Sequence, residues 1–345
     1  MYIQKNYSLK SLIALTGGHL VWLTAWSLLV AALHEFTPLR HFNLPWLPLS
    51  LIGTAVAFYV GFKNNQAYDR LWEGRKIWGS IINSSRAWGS MVKAYISGQF
   101  AAEGVSASEL YEIKRALIYR QIAWVYTLRH QLLISTPWEH VSLRGHFGVV
   151  GQQRRKHFGI GLYPTNITEQ HLSKYLTPAE YASQATFKNA ATQMIDIQAQ
   201  ELSHLRSLDL VNDFRQVELQ KILNDLYDHQ GRAERLKKFP LPRQYGSMSF
   251  IFVSIFIFML PFGMVSEFSK LGDWGLWLSV PFCVMVGWVF VVMEMVGDYS
   301  ENPFEGLAND VPMFALCRTI EIDLLQQLGE TELPSPVEPV NNVLM

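Results

Sequence analysis

Residues with the types and spacing that catalysis or metal binding requires are scarce in this chain. Glu201 and His204 stand in the E-x-x-H spacing of a metal-binding helix. A di-iron centre needs a second such pair and the sequence holds none, so a solvated helix face is the plainer reading. The ten histidines form no H-E-x-x-H pair. There is no P-loop, no G-x-G-x-x-G after a strand and no G-x-S-x-G. Cys283 and Cys317 have no metal-type spacing and make no disulfide framework. With no convergent catalytic groups, the sequence points away from an enzyme and asks for neither a metal nor a cofactor.

One pattern remains. Thr54, Phe58 and Phe62 are spaced i, i+4, i+8, which puts them on one face of a helix. In a lone subunit such a stripe packs against a neighbouring helix. In a ring of identical subunits it would line a narrow apolar constriction, which can gate ions by dewetting. The positive edge of a phenyl ring also tolerates an anion. Spacing alone favours the packing reading. Residues 63–79, K-N-N-Q-A-Y-D-R-L-W-E-G-R-K-I-W-G, follow at once. Glu73 stands three residues from both Arg70 and Lys76, so either could be its ion-pair partner on a helix surface.

The elements that must carry these residues are membrane helices. Charged residues make up 17% of the 345 and hydrophobic ones 49%, against roughly 25% charged in a soluble domain. Part of the surface therefore faces a lipid bilayer. Lys+Arg and Asp+Glu balance at 29 each, and a neutral chain lacks the basic face that nucleic acid demands. A spanning helix needs about 20 apolar residues, and residues 11–33, 42–62, 244–266 and 274–293 supply four such stretches. The first reads as a retained anchor. The second is the least regular, because it contains Pro45, Pro48 and Gly53.

Lys and Arg gather before the first stretch, after the second and before the third, while Arg40 and Lys270 alone fall in the short connections. The positive-inside bias then places both termini and the long middle, residues 63–243, on the cytoplasmic side of a plasma (inner) membrane. That middle reads as helices over 64–95, 107–131 and 186–238, with loops and short helices over 135–178. Residues 330–345 hold three prolines and little periodicity, and read as a disordered tail.

The run F-K-N-N-Q-A-Y-D-R-L-W-E-G-R-K-I-W-G at 62–79 closely resembles the segment after the second membrane helix of bacterial bestrophin homologues. Three further stretches match in the family's order: E-R-L-K-K-F-P-L-P-R-Q-Y at 234–245, M-L-P-F-G-M at 259–264 and E-N-P-F-E-G-L-A-N-D-V-P-M at 301–313. Asn64, Asn65, Asp69, Arg70, Trp72, Glu73, Asn302, Pro303, Phe304 and Asp310 are the family-motif residues among them. The resemblance covers residues 5–329, so residues 1–329 read as one channel domain. It implies an all-α membrane protein, with four transmembrane helices and a helical cytoplasmic region around a central pore, assembled as a homopentamer.

It also implies passive conduction of small inorganic ions, anions such as chloride first, with the cation-selective bacterial type as the alternative. A membrane receptor or scaffold is the reading from another class. By the same resemblance Thr54, Phe58 and Phe62 fall at the pore neck, where Thr54 departs from the usual apolar residue. Counting back from Pro242 puts a cytoplasmic aperture at Phe214.

Eukaryotic bestrophins bind calcium in a run of acids after N-P-F. Calcium takes about six to eight oxygen ligands. Here Leu307 interrupts the run between Glu305 and Asp310. Conductance is therefore expected to stay the same when cytoplasmic-side calcium is raised from chelated to millimolar levels; a steep calcium dependence in bilayer recordings would overturn that reading.

Overall fold

The protein is described by a computed structural model over residues 1–38, 44–99 and 104–345. Arg40 and the first two residues of the expected second span lie outside the described residues. The described residues form α1 (Leu9–Phe36), α2 (Trp46–Tyr95), α3 (Ala107–Leu132), α4 (Gly145–Phe158), α5 (Ile167–Tyr175), α6 (Pro178–Gln184), α7 (Ala190–Ser207), α8 (Asp213–Lys238), α9 (Arg243–Phe268), α10 (Asp273–Asp298) and α11 (Met313–Leu328). Among them there is no strand, only isolated bridges such as Tyr2 with Val343. The chain divides into two compact units. One is Gln4–Leu71 with Pro240–Asn302; the other is Met1–Ile3, Trp72–Phe239 and Pro303–Met345.

The first unit holds α1, the upper part of α2, α9 and α10, four helices long and apolar enough to cross a membrane. Pro48 sits in the first turn of α2, where a missing N–H costs nothing because that turn has no intrahelical acceptor for it. The proline that blurred this span in the sequence therefore marks its start. Leu23, Leu49, Val56, Val60, Val253, Phe256 and Leu260 form the packed centre of the unit. Helices approach closely through glycines. A Cβ on Gly53 would sit 2.7 Å from the Phe256 ring, and one on Gly263 would sit 2.4 Å from Leu49. In lipid this matters, since van der Waals packing replaces the hydrophobic drive between helices.

The second unit is organised around α3. Residues 121–129 are buried without interruption, the mark of a helix enclosed on all sides. α5, α7, α8 and α11 pack on it. Three side-chain hydrogen bonds tie it to its neighbours: Gln121 donates to Ser85 Oγ at 3.0 Å, Gln198 donates to Gln121 at 3.3 Å and the Trp124 indole donates to Gln230 at 3.2 Å. Ser106 and Glu109 close a reciprocal capping box at its start.

Two expectations need correction. The helix expected over 186–238 is two helices, α7 and α8. Asp209 takes a left-handed φ of 54°, Leu210 and Val211 turn inward, and the Asn212 side chain caps α8 by accepting from Arg215 N–H. The tail, expected to be disordered, has no helix or strand yet is held in place. Val343 and Met345 are buried, Ala315 N–H donates to the Met345 carbonyl at 2.7 Å, and the Tyr163 hydroxyl reaches the Val343 carbonyl at 2.9 Å. Its order comes from partners far away in sequence, which local periodicity does not register.

Glu321, on α11, is the most heavily engaged carboxylate of this unit. It accepts from the hydroxyls of Tyr126 and Tyr175, pairs with Arg318 at 2.9 Å and lies 3.5 Å from His171. Burial alone would raise its pKa. The hydrogen bonds from His171, Tyr126 and Tyr175 outweigh that and hold it down at about 2. A carboxylate with a folded-state pKa below its ordinary 4.5 contributes stability that is complete above that value and is lost as pH falls toward about 2. Glu321→Gln is expected to flatten the acid limb of the unfolding curve in that window and to lower stability at neutral pH by on the order of 3 kcal/mol, read as the unfolding midpoint in detergent against pH.

Candidate pore-lining face

The site is one side of α2. Its inward stripe is Leu49, Gly53, Val56, Val60, Lys63 and Ala67, all buried. Its outward stripe is Thr54, Phe58, Phe62, Asn65 and Asp69, all exposed. Steps of three and four residues keep each set on one side of a 3.6-residue helix. Phe58 and Phe62 stay 67% and 66% exposed, so within one chain this stripe does not pack on a neighbouring helix. Thr54, Ala57, Phe58, Gly61, Phe62 and Asn65 line an open apolar groove. The Thr54 hydroxyl donates to the Ser50 carbonyl at 2.9 Å, so its proton is spent within the helix and only acceptor lone pairs remain for a passing ion.

The rotation of α2 is set by polar anchors at the lower end of the unit. Lys63 and Glu294 are 2% and 6% exposed and form an ion pair, and the Ser249 hydroxyl also donates to Glu294. These three residues tie α2, α10 and α9 together. Asn64 donates to the Met293 carbonyl at 2.9 Å. Arg70 Nε donates to the Glu301 carbonyl at 2.8 Å, and Arg243 pairs with the Glu301 carboxylate at 3.3 Å. Sequence reasoning singled out Asn64 and Arg70 by motif but passed over Lys63 and Glu294. The available signal was a lysine and a glutamate at the edges of apolar runs, since ionisable groups at membrane depth demand partners.

The remaining motif residues separate. Glu73 pairs with Lys76 at 2.6 Å, Trp72 is half exposed and Asn302 is buried. Phe304 is fully buried with φ of 70°. Asp310 makes that turn possible: its carboxylate accepts from the N–H groups of Phe304 at 2.9 Å, Gly306 at 2.7 Å and Val311 at 2.6 Å. Burial pushes the Asp310 carboxyl above its ordinary pKa, against the pull of those three donors. Glu305 is engaged by His140 Nδ1 at 3.0 Å, and Leu307 turns inward. Glu201 faces Arg120 at 3.9 Å. Among the described residues no group of three or more His, Cys, Asp or Glu is placed to hold a metal ion. Phe214, in the first turn of α8, is 85% exposed beside the Asp213–Arg206 ion pair.

A four-helix membrane unit with an uncovered phenylalanine stripe, joined to an all-helical unit, defines a membrane protein of the channel-forming kind. The chain matches the family description "Bacterial/Fungal Bestrophin protein" over residues 10–326, and it belongs to that family. It is 26% identical over 309 residues to the voltage-dependent anion channel-forming protein YneE of Escherichia coli K12, covering 86% of this chain and 85% of that one. It is 28% identical over 308 residues to the voltage-dependent anion channel-forming protein RSc3414 of Ralstonia nicotianae, covering 89% and 85%. The crystal structure of a bacterial bestrophin homologue from Klebsiella pneumoniae superposes with a TM-score of 0.72 at 21% identity, covering 91% of this chain and 98% of that one, so the fold is shared.

Removing one partner of a buried ion pair strands the other charge. Glu294→Ala is expected to destabilise the protein by roughly 3–5 kcal/mol. The double variant Lys63→Met, Glu294→Leu should recover most of that loss; denaturation of the detergent-solubilised variants reads both.

Proposed function

We propose that this chain is the subunit of a homopentameric ion channel, and that Thr54, Phe58 and Phe62 from five copies form the neck of its central path. The observation that carries this reading is the exposed Phe58 and Phe62 stripe on a helix whose opposite side is closed by the buried Lys63–Glu294 pair. Small monovalent anions are the conducted species: the relatives carry anion-channel names, and phenyl edges present partial positive charge. These features favour anions over the cation-selective alternative, and conduction over a receptor or scaffold role. Phe214 belongs to a second constriction on the cytoplasmic side, where both termini and residues 63–243 lie by the distribution of Lys and Arg.

The test is in planar bilayers and on the gel-filtration column. Phe58→Ala and Phe62→Ala should each raise leak current while the pentamer persists, because a wider and less apolar neck stays wet. Thr54→Ala, which removes a hydroxyl and little volume, serves as the control. Unchanged current together with a stability loss of about 3–5 kcal/mol, the cost of a large cavity, would assign the two phenylalanines to packing. A mass corresponding only to monomer would end the channel reading.

A further inference from the structure

The outward stripe of α2 does not stop at the phenylalanines. Asn65 lines the same groove, and Asp69 follows on the same side, exposed. Asp69 is seven residues past Phe62, roughly 10 Å along the axis at 1.5 Å per residue. Its neighbours on the helix are occupied elsewhere: Lys63 with Glu294, Arg70 with the Glu301 carbonyl, and Glu73 with Lys76. Among the described residues Asp69 has no ion-pair or hydrogen-bond partner, so no basic side chain offsets its carboxylate beside the groove.

We propose that Asp69 is a specificity-determining residue of conduction, whose carboxylates form a negative ring at the inner mouth of the neck and restrict the supply of anions from that side. This rests on the neck reading above. Five like charges around a narrow path with low-dielectric walls focus a potential on passing ions. The ring depletes anions and gathers cations at one mouth only, since the other end of the stripe is the uncharged Thr54. A symmetric salt solution then gives an asymmetric current, smaller for anions entering past Asp69 than for anions entering past Thr54. Asn65, between the ring and Phe62, offers amide N–H donors to an anion that has passed the ring.

The effect depends on salt in a way that pore width does not. Screening reaches about 10 Å at 0.1 M ionic strength and about 3 Å at 1 M. Asp69→Asn keeps the size and removes the charge, and an exposed, unpartnered side chain gives folding little reason to change. In about 0.1 M chloride salt, Asp69→Asn should raise the anion current entering from the Asp69 side by about twofold or more and straighten the current–voltage curve. In about 1 M salt the variant and the natural protein should nearly coincide. Asp69→Lys should reverse the asymmetry.

Phe62→Ala, recorded alongside, separates the two layers of the argument. If it raises current while both Asp69 variants match the natural protein at low salt, the ring is overturned and the neck stands. If neither position affects current, the neck reading fails and takes the ring with it. Loss of the pentamer in Asp69→Asn would also overturn the proposal, because it would mean that the carboxylate pairs with a neighbouring copy instead of facing the ions.

Discussion

Lys63 and Glu294 lie almost wholly out of solvent in a unit whose packed centre is built from aliphatic and aromatic side chains. Moving either charge alone from water to such surroundings costs several kcal/mol, so each is tolerable only with the other beside it, and the Ser249 hydroxyl takes up a further lone pair of the glutamate. The pair constrains more than it stabilises. A helix can slide or rotate against aliphatic neighbours at small cost, but not against a buried counter-charge. Once Lys63 points inward, the helix period forces Phe58, Phe62 and Asn65 outward. The aromatic stripe is exposed because the opposite side of α2 is pinned.

The helical unit built on α3 uses carboxylates in a related manner, though it binds backbone and hydroxyls with them. Asp310 collects three N–H groups and so supports a left-handed residue at Phe304. Glu321 collects two phenols and a guanidinium. Glu139 pairs with Lys237, which also donates to the Phe304 carbonyl at 3.2 Å. Of the acids after the N-P-F motif, Asp310 is thereby committed to the shape of its own loop and Glu305 to His140. Asp69 stands apart as an acid left unspent on α2.

The membrane helices and the one-sided stripe of α2 were legible in the sequence because both are local signals. An apolar run of about 20 residues identifies itself, and i, i+4 spacing assigns Thr54, Phe58 and Phe62 to one side whatever surrounds them. The Lys63–Glu294 pair joins residues 231 apart, and no local rule links them. The break between α7 and α8 escaped notice because Leu208, Leu210 and Val211 continue an apolar pattern; what ends the helix is the inward turn of Leu210 and the Asn212 cap. The tail misled for the same reason. Its prolines argue for disorder, while the Val343 and Met345 carbonyls find donors in the Tyr163 hydroxyl and in Ala315 N–H of α11.

The second helix runs without a break for 50 residues, about 75 Å at 1.5 Å per residue, more than twice the roughly 30 Å of a hydrocarbon layer. Within the first unit it carries the exposed Thr54 and Phe58 on one side and, further along, the buried Lys63 on the other. One uninterrupted run of helix makes the two sets share a phase. Adding or deleting a single residue between Phe58 and Lys63 would twist the stripe by about 100° against the buried pair, whereas seven residues, two turns, would leave a mismatch of only about 20°. Length variation in this helix is thus quantised. Point substitutions along it can be absorbed one at a time, but a frame of three or four residues cannot, and related chains are expected to differ there by exchange of side chains or by whole heptads.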